Sequence, residues 1–361
     1  MSGVAERASS TISRSKAGRI RTGSSLIGAV AALCTFAVIW NAVLYFGSLW
    51  RPLWWLAFTG NFVLLVGTAE RVGRGVPPKH RKLYERALAF GFPLLALIAW
   101  QLIVDAGILN PLWFPQPTRI ATALWDLTVH YDRFSGTTLF GRPWLIPSQF
   151  KTEGWAGVWG LFAESHVWVT LARVGAGFII GAVPGILLGV VMGINRTVRL
   201  MLDTTLSAIY VLPKIAIFPI VMLMFADPFG EGPKVAVVAL SVFFLMTINT
   251  MAAVRDIDPV FLMAGRNYGA HGFALLRHVI IPAAMPVIFA GLRLALGTAL
   301  IVIISVEFLR AKQGVGFMTF YYWEVLSPEK MYAGLVVVMA LGVILTYGLQ
   351  ALQRRLMPWQ R

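Results

Sequence analysis

The sequence predicts an all-α, polytopic membrane protein. Of its 361 residues, 58% are hydrophobic and 13% charged, a balance far too apolar for a soluble domain. The apolar residues gather into eight runs, each near the ~20 residues that cross a bilayer as a helix. The remaining charge is basic, formally +15, and falls unevenly on alternate connections between the runs.

In chain order the runs are 26–47, 52–68, 87–107, 167–193, 203–225, 233–254, 281–306 and 332–351. Basic residues precede the first, as in a signal peptide. Its apolar stretch exceeds the ~7–15 residues of a signal core, so it reads as a retained helix. The longest connection, 108–166, opens on Trp113-Phe114-Pro-Gln-Pro-Thr118. Residues 119–130 read as a short amphipathic helix capped by Thr118. Residues 131–160, rich in glycine, proline and aromatics, read as irregular.

Orientation follows from counting Lys and Arg on the two sides. One side takes nineteen, in the N-terminal segment, the 69–86 loop, Arg196, Arg199, Arg255, Arg266, Arg277 and the C-terminal tail; the other takes nine. The richer side is expected to be cytoplasmic. Both termini and the 255–282 loop are therefore expected inside the cell.

Composition also excludes classes of activity. No G-x-x-x-x-G-K-[ST] stretch occurs, so ATP is not expected to be hydrolysed by this chain. The five histidines show no H-E-x-x-H or comparable spacing, and the single Cys34 lies in an apolar run. No metal, cofactor or enzymatic activity is expected. No basic stretch is interleaved with aromatics as a nucleic-acid groove requires.

The 255–282 connection is the most informative polar segment. Asp258-Pro259 is a helix start: a carboxylate cap, then proline in the first turn. Residues 259–268 read as a short helix with Phe261, Leu262, Gly265 and Tyr268 on one side. Gly269 suits a left-handed exit. A second turn carries Phe273, Leu276 and Val279, and Pro282 is expected to end it and open the next span. Two short helices carrying an apolar face below a membrane require a partner to cover them.

This skeleton, a small-residue turn, then Gly269, nine residues, and Val279-Ile-Ile281-Pro282, resembles the coupling loop of ABC importer permeases, E-A-A-x3-G-x9-I-x-L-P. The resemblance extends over about 110–352 and is to the nitrate/sulfonate/taurine type. Trp113-Phe-Pro-Gln-Pro-Thr118 is similar to that family's Leu-Pro-Ser-Pro entry. Thr170-Leu-Ala-Arg173-Val-Gly-Ala-Gly177-Phe is similar to its Ser-Leu-x-Arg-x3-Gly-Phe. Leu212-Pro-Lys-Ile-Ala216 with Pro219, Gly291-Leu-Arg293 followed by Glu307, and Gly314-Val-Gly316 also match. Met263 stands where the family has glutamate, Gly265 where it has alanine, and 226–232 departs from its Trp-Phe-Gly-x-Gly turn. Residues 1–86 fall outside the resemblance.

The resemblance implies a six-helix permease domain at 87–361, with an N-terminal extension, 1–86, adding two transmembrane helices. It implies a cytoplasmic ABC ATPase on the coupling loop at Phe261, Leu262, Met263, Ala264, Gly265, Arg266, Gly269 and Pro282, with ATP used by that partner. It further implies a periplasmic or lipid-anchored substrate-binding protein on the other side and a homodimer of the permease, within the lipid of a bacterial inner membrane. The alternative class is a gradient-driven secondary transporter of a small anion. Such carriers usually place a carboxylate deep in the membrane, and Glu307 reads as near an outer end.

Two intramembrane features remain. Arg173, Lys214 and Arg293 lie within spans, Lys214 about eleven residues into its run, or roughly 16 Å. Charges at depth face a cavity or a partner, so these residues, with Glu307, are candidates for a pathway biased toward anions. Snorkelling, or pairing with carbonyls at a break beside Pro213 and Pro219, is the other reading. Gly177, Gly181, Gly185, Gly189 and Gly193 recur every fourth residue and make a smooth helix face for a closely packed neighbour, in the same chain or in a second subunit.

Overall fold

The computed structural model describes residues 39–40, 50–130 and 137–360. It forms two compact units, one up to Pro117 and one from Thr118. The division lies later in the chain than the 86/87 boundary suggested by the sequence. The described residues are helical, with no named strand among them.

The first unit contains α1 (Trp50–Gly75) and α2 (Arg81–Asp105), joined through a 3-10 turn at Pro78–His80. They pack antiparallel: the Phe62 and Phe92 rings meet edge-on at 5.9 Å, and the Tyr84 hydroxyl donates to the Ala69 carbonyl. Asp105 accepts from Gln116 at 2.7 Å and so ties the end of α2 to the following segment.

The second unit contains α3 (Pro117–Val129), α4 (Ile146–Ala163), α5 (His166–Ile194), α6 (Arg196–Val211), α7 (Lys214–Leu223), α8 (Glu231–Arg255), α9 (Pro259–Asn267), α10 (Gly272–Leu275), α11 (Ile281–Arg310), α12 (Val315–Glu324) and α13 (Pro328–Leu356). Helix α3 falls where the amphipathic helix was expected. Helix α4 does not: this part of the chain read as irregular. Gly154, at φ 61°, breaks α4 into two pieces. Each piece is too short to show a helical period among so many glycines and aromatics.

Among the described residues, five helical stretches are long and apolar enough to cross a membrane: Pro78–Asp105, His166–Ile194, Glu231–Arg255, Gly272–Leu309 and Pro328–Leu356. The bent pair α6–α7 makes a sixth if it counts as one span. These six coincide with the expected runs from 87–107 onward. The 52–68 run falls on α1, which is not among the five. The 26–47 run lies outside the described residues except for 39 and 40.

One helix pair organises the second unit. A Cβ on Gly177 would stand 2.6 Å from Val238, on Gly181 2.2 Å from the Ala239 carbonyl, on Gly185 2.8 Å from the Phe243 carbonyl, and on Gly189 2.6 Å from Thr250. Both partners advance along the chain together, so α5 and α8 run parallel with their backbones nearly touching. The glycine face is therefore filled by α8 of the same chain, not by a second subunit. Helix α11 closes the other side of α8, and Val237, Val238, Val242, Met246, Ala295, Ala299, Ile303 and Val306 are fully buried between them.

A parallel pair needs a return crossing. The α6–α7 pair supplies it, bent by 100°. Pro213 causes the bend. It forces Leu212 into extended backbone, φ −60° and ψ 135°, because a residue before proline is pushed out of the helical region. The single span expected at 203–225 is thus a broken one.

Candidate functional site

The 255–282 connection folds much as its sequence suggested. Asp258 caps α9 by accepting from the Val260 N–H at 2.9 Å. Its predecessor Asp256 pairs with Arg255 at 2.7 Å. That hydrogen bond and charge hold the Asp256 carboxyl below its ordinary range. Gly269 exits α9 at φ 84°, and the Ala270 N–H returns to the Gly265 carbonyl at 3.0 Å, a C-cap that orphan helix carbonyls favour.

The two faces divide differently from expectation. A Cβ on Gly265 would stand 2.8 Å from Val279 and 3.1 Å from Leu275, so Gly265 faces inward, where the two short helices meet. Leu262 is half-buried. The outward face is instead made by Val260, Phe261, Met263, Tyr268 and Phe273; Tyr268 is 93% exposed. Ala264 and Arg266 are also exposed, and Pro282 is half-buried. Glycine at 265 fits the closeness of Val279. Pro282 also does not end the second helix. A π turn at Leu276–Ile280 leads straight from α10 into α11, and Pro282 sits in the first turn of α11, where its missing N–H costs least.

A second site lies at the other end of the helices. Three residues on one face of α5, His166, Thr170 and Arg173, grip the turn before α12. The Gly314 N–H donates to His166 Nδ1 at 3.1 Å, and the Val315 N–H to Thr170 Oγ1 at 2.9 Å. The Gly316 N–H donates to Glu307 at 2.9 Å, and Arg173 donates to the Gln313 carbonyl at 2.7 Å. The opening N–H groups of a helix have no partner within it. Here three side chains from two other helices supply them, with the Glu307 carboxylate at the positive end of α12.

The charges in this cluster are paired. Arg173 donates to Glu307 at 2.7 Å and holds Glu231 through two bonds, one of 2.7 Å. Lys234 also reaches Glu231, at 3.0 Å. Glu307 and Arg173 are buried, whereas the Glu231 side chain is 60% exposed. Glu231, Arg173 and Lys234 face a cleft of about 710 Å³ that Asp227, Lys312 and Gln313 also line. Gly314, at φ 122°, has Glu307 carboxyl atoms 2.4 Å from where a Cβ would stand. No larger residue fits there.

These contacts bear on two expectations. Glu307 does lie near the outer end of its helix, three residues before Arg310, but it is fully buried, and Arg173 is neutralised by two carboxylates instead of offering free charge to a pathway. The alternative reading of Lys214 holds. It opens α7, and its ammonium donates to the carbonyls of Tyr210 at 2.5 Å, Leu212 at 2.9 Å and Ile209 at 3.3 Å. These carbonyls lie at the end of α6, where the helix leaves acceptors without their usual partners; Ile209 also accepts from the Leu212 N–H at 3.2 Å. Arg293 is exposed and donates to Gln353 at 3.2 Å. Lys214→Met should therefore leave uptake of a charged solute nearly unchanged and lower thermal stability modestly, by the ~1 kcal/mol typical of a capping contact; a transport assay with a melting curve checks both. Loss of uptake with stability unchanged would return Lys214 to the pathway.

Sequence reasoning did not find Glu231, His166 or the capping role of Thr170. The positions of His166, Thr170 and Arg173, spaced by four and three, do carry a one-face signal. Nothing local indicates that residue 307 completes the cluster.

Among the described residues, no group of three or more His, Cys, Asp or Glu could hold a metal ion.

Comparison with known proteins agrees with this architecture. Residues 185–358 match the family of binding-protein-dependent transport system inner membrane components. The taurine transport system permease protein TauC of Escherichia coli is 28% identical over 292 residues, covering 78% of this chain and 96% of that protein. A putative aliphatic sulfonates transport permease, SsuC of Bacillus subtilis, is 26% identical, covering 78% and 90%. The nitrate import permease NrtB of Synechococcus elongatus is 25% identical, covering 63% and 72%.

Proposed function

We propose that this chain, an ABC importer permease of the nitrate/sulfonate/taurine type, forms half of a homodimeric pathway for a small, oxyanion-bearing solute. A cytoplasmic ATPase engages the 255–282 loop. A periplasmic or lipid-anchored binding protein delivers the solute at the opposite end. The excess of Lys and Arg on that side supports termini in the cytoplasm of a bacterium.

The observation that carries this reading is the outward apolar face of α9 and α10. Phe261, Tyr268 and Phe273 stand more than half exposed on a polar, glycine-turned loop, at the far end of α8 from the charged cleft. Apolar surface outside the bilayer calls for a protein partner. The solute class comes from the relatives, which are transporters of taurine, aliphatic sulfonates and nitrate. ATP binding in the partner would draw the loops together and switch the helices between two arrangements. The paired Glu307 gives no support to gradient-driven transport, because its carboxylate is already committed to Arg173 and to α12.

The test is an affinity pull-down of the chain from mild detergent. A P-loop ATPase should be recovered in stoichiometric amount. Phe261→Glu should lose it, and Gly269→Val should retain it while uncoupling transport from ATP hydrolysis, since valine costs roughly 1–2 kcal/mol in the left-handed region. A well-folded chain that recovers no ATPase would overturn the docking assignment.

A further inference from the structure

Residues 154–163, the second piece of α4, read Gly-Trp-Ala-Gly-Val-Trp-Gly-Leu-Phe-Ala and contain no charged, hydroxyl or amide side chain. Gly157, Val158 and Leu161 turn into the protein. The outward face is left to Trp155 and Trp159, each 69% exposed, with Ala156, Gly160 and Ala163. Lys151 and Glu153 lie before the break at Gly154. In water this would be an uninterrupted apolar patch centred on two indoles.

The same face runs into a membrane span. Only Glu164 and Ser165 separate α4 from α5. A chain of rings crosses the junction: Trp159 meets Phe162 at 5.9 Å, and Phe162 meets Trp168 edge-on at 4.9 Å. Trp168 is in the first turn of α5. That helix has 29 residues, so it is about 43 Å long at 1.5 Å per residue. The hydrocarbon core takes about 30 Å of that, which leaves Trp168 at the headgroup level where indoles concentrate. Trp159 is linked to it through the single ring of Phe162. Glu164, the first residue after this piece, is paired with Arg142.

We propose that residues 154–163 form an interfacial anchor. They lie along the membrane surface opposite the 255–282 loop, with the Trp155–Trp159 face in the boundary between headgroups and acyl chains. The occupant of this face is lipid. A second copy of the chain or another protein would be expected to meet a polar rim around the aromatic centre, and this piece carries none. The inference depends on α5 crossing the bilayer and is independent of what the protein transports.

The test uses the full chain with Cys34→Ser, reconstituted in vesicles of phosphatidylethanolamine and phosphatidylglycerol. Single cysteines placed at Ala156 and Ala163 carry a nitroxide. Ile180, exposed within α5, is the span control and Ser148 the water control. Spin relaxation by oxygen, which partitions into lipid, is compared with relaxation by a water-soluble nickel chelate. Oxygen should dominate at Ala156 and Ala163, at the ~5–10 Å immersion of an interfacial helix, while nickel dominates at Ser148. In a Trp155→Ser/Trp159→Ser background the Ala156 label should shift several-fold toward nickel, with Ile180 unchanged. Nickel dominance at Ala156 and Ala163 in the parent would overturn the anchor, as would exclusion of both relaxants, which would indicate a protein cover. Nickel access at Ile180 would instead disprove the span itself.

Discussion

Gly181→Leu is expected to abolish accumulation of a folded, monodisperse chain. A Cβ at this position stands 2.2 Å from the Ala239 carbonyl oxygen and 2.9 Å from the Val242 Cβ. The first obstacle is backbone, so no rotamer change relieves it. The α5–α8 pair would have to separate along its whole parallel length, which would also remove the packing of Val237, Val238 and Val242 against α11. Overpacking in cores that can adjust costs roughly 1–3 kcal/mol, and this site has less freedom than those. In a bilayer the loss matters more, because helix association there rests on close packing and not on exclusion of water. Gly181→Ala should already lower the melting temperature of the detergent-solubilised chain. Gly175→Leu is the control: it lies on the same helix, and a Cβ there meets nothing within 4 Å. Equal melting of the two leucine variants would show that the two helices do not pack at this face.

The contrast between these glycines also indicates what a sequence can disclose. Five glycines at a fixed period of four define a helix face without reference to anything distant, so their role as a packing surface was legible. So were the Asp258 cap, the Gly269 exit and the six long apolar runs, which are all local or periodic signals. The identity of the partner, α8 and not a second subunit, needed three-dimensional placement. Two readings of Lys214 stayed open because depth was counted along an unbroken helix, whereas Pro213 bends the chain by 100° and hands the lysine to three carbonyls. Glu307 and Arg173 were read separately because they are 134 positions apart in the chain. Opposite charges that far apart carry no pairing signal in one sequence, and each alone resembles a pathway residue.

That pairing yields the second large effect. Glu307→Ala should destabilise the chain by about 3–5 kcal/mol, the cost of leaving one member of a buried ion pair without the other. The variant also removes the acceptor of the Gly316 N–H and an acceptor of the Thr170 hydroxyl, so the first turn of α12 would lose part of its cap. Glu231→Ala offers the discriminating comparison. Its carboxylate also pairs with Arg173, yet its side chain is 60% exposed, and water can replace most of what it provides, so the loss should be ~1 kcal/mol or less. A doubly apolar variant, Arg173→Met with Glu307→Met, should recover part of the Glu307→Ala loss because no lone charge remains buried. It should not recover all of it, since the Gly316 N–H and the Gln313 carbonyl would still lack partners. Thermal melting of the three purified variants and the parent gives this order directly. If Glu307→Ala and Glu231→Ala melted together, the cluster would be a surface ion pair and not the joint that fixes α5, α11 and α12. If the doubly apolar variant melted at or above the parent, the capping of α12 would contribute nothing, and the cluster would be a charge pair alone.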